Sequence, residues 1–145
     1  MMFRGYLGGN MKRKRSREIA MELLFSMEIS KNSYEQTIES FIENYEMDLK
    51  TIDLEYIKEV MKSVTDYKEE IDEIIKNSLI NWTIERVSKV NLIIVRLAIA
   101  EMLYIDDVPE VVAINEAIEL TKKYSDDKSV SFVNGALDKA FKNIK

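Results

Sequence analysis

The chain contains no cysteine and no histidine. That excludes disulfide staples, thiolate nucleophiles, Cys/His zinc sites and proton shuttling through imidazole. Glycine and proline are almost as scarce, at four and one, and three of the glycines (Gly5, Gly8, Gly9) fall in the first nine residues. A β-rich fold would need many tight turns built from those residues, and glycine-rich phosphate loops or dinucleotide fingerprints would need them too. Long apolar runs are missing as well. The most apolar stretch, Leu92 to Ala100, is cut by Arg96 and ended by Glu101, well short of the roughly 20 residues of a membrane span. No signal peptide is visible. What remains is a chain of 145 residues, long enough for one domain with an ordinary core. The expectation is a cytoplasmic, all-α, non-enzymatic protein with no metal and no cofactor.

Charge is present in quantity but unevenly placed. The 21 basic and 26 acidic residues give a net charge of −5, yet no acidic residue precedes Glu18. Lys12, Arg13, Lys14, Arg15 and Arg17 crowd five cations into six positions, ahead of an acidic body. Such asymmetry points to a polyanionic partner. The plainer reading is a solvated tail. Five phosphate contacts would give a salt slope of about −3.5 on single-stranded nucleic acid, a modest affinity.

Periodicity predicts the elements. Residues 1–11 read as a disordered extension and residues 12–145 as the helical domain. A first helix is expected from about Ser16 to Ile29, with the cations at its first turn, where a bound anion would offset an unfavourable dipole. Ser33 and Gln36 form a capping box for a second helix. Asp53 caps a third, whose apolar period runs to Leu79 as one kinked helix or two. Thr83 is placed before a short turn. Ser88 caps a very apolar helix ending near Ile105, Pro109 separates it from a helix over about 112–124, and a last helix runs from about Ser129 to Ile144. Gly135 lies mid-helix, where close approach of a neighbouring helix would justify it.

Few residues suggest chemistry. No carboxylate pair is marked for acid–base work, and no EF-hand spacing is present. Arg96 and Glu101 inside the apolar helix, with Asn115 and Glu116 in the next, read as a buried polar network that sets helix packing. Tyr124 and Phe132 flank the Ser125–Ser131 loop as core residues or as platforms for unpaired bases. Trp82 reads as a packing anchor.

Four segments carry a resemblance: RKRSREIA (13–20), RLAIAEM (96–102), DVPEVVAINEAIEL (107–120) and FVNGALD (132–138). In order and spacing they resemble the bacterial NusB family of transcription antitermination factors, over about residues 11–143. The resemblance implies about seven helices in two subdomains. It implies binding of boxA-type single-stranded RNA in ribosomal RNA transcripts, together with the ribosomal small-subunit protein NusE, in a complex on RNA polymerase that reads through terminators. It maps RNA contacts onto Arg13, Lys14, Arg15 and Arg17 of the head and onto Tyr124 and Phe132; Lys12 of the same charge run and the loop residue Lys128 are added as candidate RNA contacts. It maps the NusE surface around Glu85, Arg86 and Asn91. Where the family often has a small residue after the aromatic and an acid before the serine, this chain has Ser125 and Lys128. NusB-like domains also front some ribosomal RNA cytosine methyltransferases, whose catalytic cysteines this sequence lacks. The remaining alternative is a helical protein–protein scaffold, homodimeric or not, with a basic tail and no specific RNA function.

Overall fold

The computed structural model describes the backbone of residues 2–144 and the side chains of residues 11–144. Seven α-helices and two short 3₁₀ turns are found among the described residues, and no strand. The helices are α1 (Met2–Ser30), α2 (Tyr34–Asn44), α3 (Leu54–Asp66), α4 (Lys68–Ser78), α5 (Lys89–Tyr104), α6 (Glu110–Tyr124) and α7 (Asp127–Ile144). The 3₁₀ turns are Leu49–Thr51 and Ile84–Arg86. The chain divides into two units, residues 1–62 and 63–145.

In the first unit, α1 does not start at Ser16. Ser16 is fully buried within the helix, where its hydroxyl donates to the Lys12 carbonyl (2.7 Å) and accepts from the backbone N–H of Asp53 (2.7 Å). Lys and Arg are good helix formers, so the basic run continues the helix. The cations therefore lie inside α1 and not at its first turn, and the dipole argument for an anion there falls away. Residues 1–11 are expected as a disordered extension; the backbone of residues 2–11 belongs to α1, while Met1 and the side chains of residues 2–10 lie outside the described residues. Downstream, Ser33 and Gln36 make the reciprocal capping box (3.1 and 2.9 Å) that starts α2. Asp53 caps α3 through the N–H of Tyr56 (3.1 Å). Ile19, Ala20, Leu24, Ile38, Ile52, Ile57, Val60 and Met61 are buried.

The second unit is organised on α5, which packs against α4, α6 and α7. Ten consecutive or near-consecutive α5 residues are buried, from Asn91 through Glu101. Ser88 caps α5 through the N–H of Asn91 (3.2 Å). The period from Ile57 to Leu79 resolves into two helices broken at Tyr67. The Tyr67 ring stacks on Tyr104 of α5, with centroids 4.2 Å apart and planes 13° apart. Pro109 ends the preceding loop and sits at the N-cap of α6, and α7 begins two residues earlier than expected because Asp126 caps it through the N–H of Ser129 (2.8 Å). Gly135 has no close neighbour: a Cβ built there meets nothing within 4 Å. The expected helix approach is absent.

The residues expected as one polar network differ in environment: Arg96 and Glu101 are buried, Glu116 is half-buried and Asn115 is exposed. Arg96 pairs across to Asp72 of α4 through two parallel hydrogen bonds, at 2.8 and 2.9 Å. Glu101 is fully enclosed in α5, while Asn115 is exposed on α6 and takes no part in a buried network.

Candidate nucleic-acid interface

The helical period of α1 divides its cations into two sets. Stepping back from buried Ala20 by three or four residues gives Arg17, Ser16 and Arg13 on the same face. Arg17 is only 3% exposed, and its guanidinium carbon lies 5.6 Å from the centre of the Tyr56 ring. Arg13 lies over the same ring at 4.3 Å and pairs with Asp53 at 3.1 Å. These two cations hold α1 to the start of α3. Arg17 does not offer its charge to solvent, which corrects the expectation of five phosphate contacts from the head.

Lys12, Lys14 and Arg15 occupy the outer face and are exposed. Arg15 is shared with Glu18 at 3.1 Å and Glu22 at 3.9 Å. Exposed pairs of this kind are weak and salt-sensitive, so a phosphate can compete for the guanidinium. Three cations meeting phosphates give a slope of about −2 on single strands.

In the second unit, Tyr124 closes α6 and is half-buried, with the Lys123 ammonium 5.4 Å from its ring centre. Phe132 sits on α7, one helical turn beyond exposed Lys128, and is also half-buried. Neither ring is enclosed in the core. Phe132 meets Trp82 edge-on, with centroids 5.9 Å apart and planes at 64°. Trp82 itself is 52% exposed and so is no packing anchor. The periodicity of the apolar residues carried no sign of this, because Trp82 stands in an irregular segment.

The residues expected to face a protein partner separate. Glu85 and Arg86 are exposed on the second 3₁₀ turn. Asn91 is buried: its amide donates to the Ser129 hydroxyl (2.9 Å), which also hydrogen-bonds to Ser125 (3.1 Å). Asn91 therefore fastens the start of α5 to the first turn of α7 and does not present itself to a partner. The Ser125–Asp126 link between α6 and α7 carries one acid. Asp126 is held below the usual carboxylate range by the hydroxyl and N–H of Ser129, with Lys128 adding to the effect.

Among the described residues, no group of acidic side chains is arranged to hold a metal ion, and no helix is long and apolar enough to cross a membrane. An all-α protein with a cationic helix face and solvent-facing rings beside a charged loop belongs to the class of helical binding proteins. The model of the NusB family matches residues 14–142, and the chain belongs to that family. It is 54% identical over 132 residues to the transcription antitermination protein NusB of Clostridium botulinum (strain Alaska E43 / Type E3), covering 91% of this chain and 99% of that one. A relative of the same name from Clostridium perfringens (strain SM101 / Type A) is 48% identical, covering 93% and 100%. Among solved structures, NusB of T. maritima superposes with a TM-score of 0.78 at 33% identity, covering 90% of each chain. A complex of the antitermination factors NusB and NusE with double-stranded RNA matches with a TM-score of 0.76 at 27% identity, covering 90% of this chain and 96% of that one.

Proposed function

We propose that this protein is a transcription antitermination factor that acts in the cytoplasm by binding RNA together with the ribosomal protein NusE. Its role is that of an adaptor without catalysis. The observation that carries the reading is the end-to-end similarity to proteins named for that activity. The structural neighbour that holds NusE and RNA supports both partners.

The geometry supports a division of labour. Lys12, Lys14 and Arg15 supply phosphate contacts, which position RNA without reading its sequence. Phe132 and Tyr124 offer ring faces to unstacked bases, and Lys128 offers a further cation. Partly exposed rings favour single strands, because an A-form duplex keeps its bases stacked inside. Glu85 and Arg86, exposed on the second 3₁₀ turn, are the candidates for contact with NusE that stay accessible. The net charge of −5 attracts a basic ribosomal protein and discourages indiscriminate RNA binding. Joint binding then supplies the affinity and the link to RNA polymerase that three cations alone do not.

The test measures binding to a boxA-type RNA, a scrambled RNA and a duplex of the same sequence, with and without NusE, at two salt concentrations. The boxA strand is expected to bind tightest, and NusE to strengthen it. Equal affinity for the boxA and scrambled strands under every condition would remove the reading.

A further inference from the structure

We propose that Trp82 is a base-stacking residue, forming with Phe132 a two-ring seat for one unpaired base and extending the RNA surface onto the turn between α4 and the second 3₁₀ turn. The inference rests on the RNA-binding reading above and adds to it a residue that the cationic head and the α7 loop do not include.

Three observations lead to it. The first is exposure. Trp82 is the only tryptophan in the chain, and a tryptophan ordinarily buries most of its 150–250 Å². Here it is 52% exposed, next to Ile80 at 65%. Burial in this fold therefore does not account for a tryptophan at this position.

The second is presentation. Asn81 has φ of 64°, in the left-handed region that non-glycine residues seldom enter and that asparagine tolerates best. That residue turns the chain between the end of α4 and Thr83, and Trp82 stands immediately after it. The indole is steadied on one side by its edge contact with Phe132. Phe132 in turn lies on α7, whose start is fastened to α5 by the Asn91–Ser129–Ser125 hydrogen bonds. A ring already held in one orientation loses little freedom when a base stacks on it.

The third is the surroundings. Along the chain, exposed Ile80 and Trp82 alternate with and are followed by exposed Asn81, Thr83, Glu85 and Arg86, so the exposed apolar residues of this turn are one isoleucine and one indole. A protein hot spot needs a wider water-excluding patch around its anchor. A single base needs one ring face and a nearby cation. The Trp82 and Phe132 planes meet at 64° with centroids 5.9 Å apart, and Lys128 stands one helical turn before Phe132.

The single tryptophan makes the test direct. Intrinsic emission of the whole chain is followed while the boxA-type strand is added, and binding is followed independently by anisotropy of an end-labelled copy of that strand. Stacking quenches the indole, with the same midpoint as the anisotropy change. Trp82→Ala is expected to weaken RNA binding about 5- to 150-fold, the range of one base-stacking contact. Trp82→Phe, which keeps a ring, is expected to retain most of the affinity and guards against a misfolded alanine variant. Binding by anisotropy with unchanged emission, and with the phenylalanine and alanine variants both at wild-type affinity, overturns this inference and leaves the RNA-binding function standing. A response of Trp82 emission to NusE lacking tryptophan, with none to RNA, also overturns it and makes the turn a protein contact. Absence of binding to any RNA overturns the functional reading and this inference together.

Discussion

The Arg13 guanidinium lies 3.1 Å from the Asp53 carboxylate and 4.3 Å from the centre of the Tyr56 ring. A residue that composition assigns to RNA is thereby engaged within its own unit, as is Arg17 beside it. The basic head thus contains two kinds of cation that mutation separates. Lys12→Ala combined with Lys14→Ala is expected to change stability by no more than about 0.5 kcal/mol, as for other exposed substitutions. It is expected to make the salt slope of RNA binding shallower by about 1.4. Arg17→Ala is expected to destabilise by about 2 kcal/mol, from loss of buried packing and polar contacts. Thermal melts and salt-dependent titrations of the two variants check this. A melt unchanged by Arg17→Ala would return that residue to the RNA surface.

Arg96 and Asp72 form the second structural pair. The Arg96 side chain is 9% exposed and that of Asp72 21%, and the two planar groups share two hydrogen bonds. Removing one partner leaves the other charge in a poorly solvated place. Arg96→Ala is expected to cost on the order of 3 kcal/mol. Asp72→Asn is expected to cost less, since the amide keeps one acceptor. A double-mutant cycle by denaturant unfolding measures the coupling, and additive effects would show that the pair contributes only packing.

These two pairs mark where the amino-acid sequence stops being legible. Caps are local, and Ser33, Asp53 and Ser88 could be read because donor and acceptor lie within three residues of each other. The inward face of α1 was within reach too, since a step of three or four from Ala20 selects Arg13 and Arg17; counting cations without that step overstates the head. The partners could not be read. Asp53 lies 40 positions from Arg13, and Asp72 lies 24 from Arg96. The break at Tyr67 was likewise hidden, because neither glycine nor proline marks it and the apolar period runs through; the stacked Tyr104 ring belongs to a different helix. Trp82 defeated pattern reading for the opposite reason, since it stands in a segment with no period.

Gly135 supplies a prediction from empty space. It lies inside α7, and a methyl group placed there meets no atom within 4 Å beyond its chain neighbours and the helix's own backbone. Glycine in a helix interior is less favourable than alanine by roughly 0.5–1 kcal/mol, through backbone entropy. Gly135→Ala is expected to raise stability by about that amount, seen as a higher melting temperature in the absence of RNA. The same variant is expected to bind RNA as the wild type does if the exposed position is free of contacts. A stabilised variant with weakened RNA binding would instead show that RNA approaches the α7 backbone there.

Asp126 makes the link between α6 and α7 sensitive to pH. Its carboxylate caps α7 and is held below the usual range chiefly by hydrogen bonds from Ser129. A carboxylate whose folded-state pKa is depressed adds stability that is present above its ordinary pKa. That stability is lost as the pH falls through the folded-state value. The start of α7, and with it the short Ser125–Asp126 link from α6, is therefore expected to loosen under acid conditions below about pH 4. Asp126→Asn keeps a capping oxygen but cannot titrate, so it is expected to flatten the acid limb of a stability–pH profile. The measurement is urea unfolding of both proteins from pH 3 to pH 7. Parallel profiles would mean that Asp126 contributes no linkage and that the acid sensitivity of the fold arises from other carboxylates.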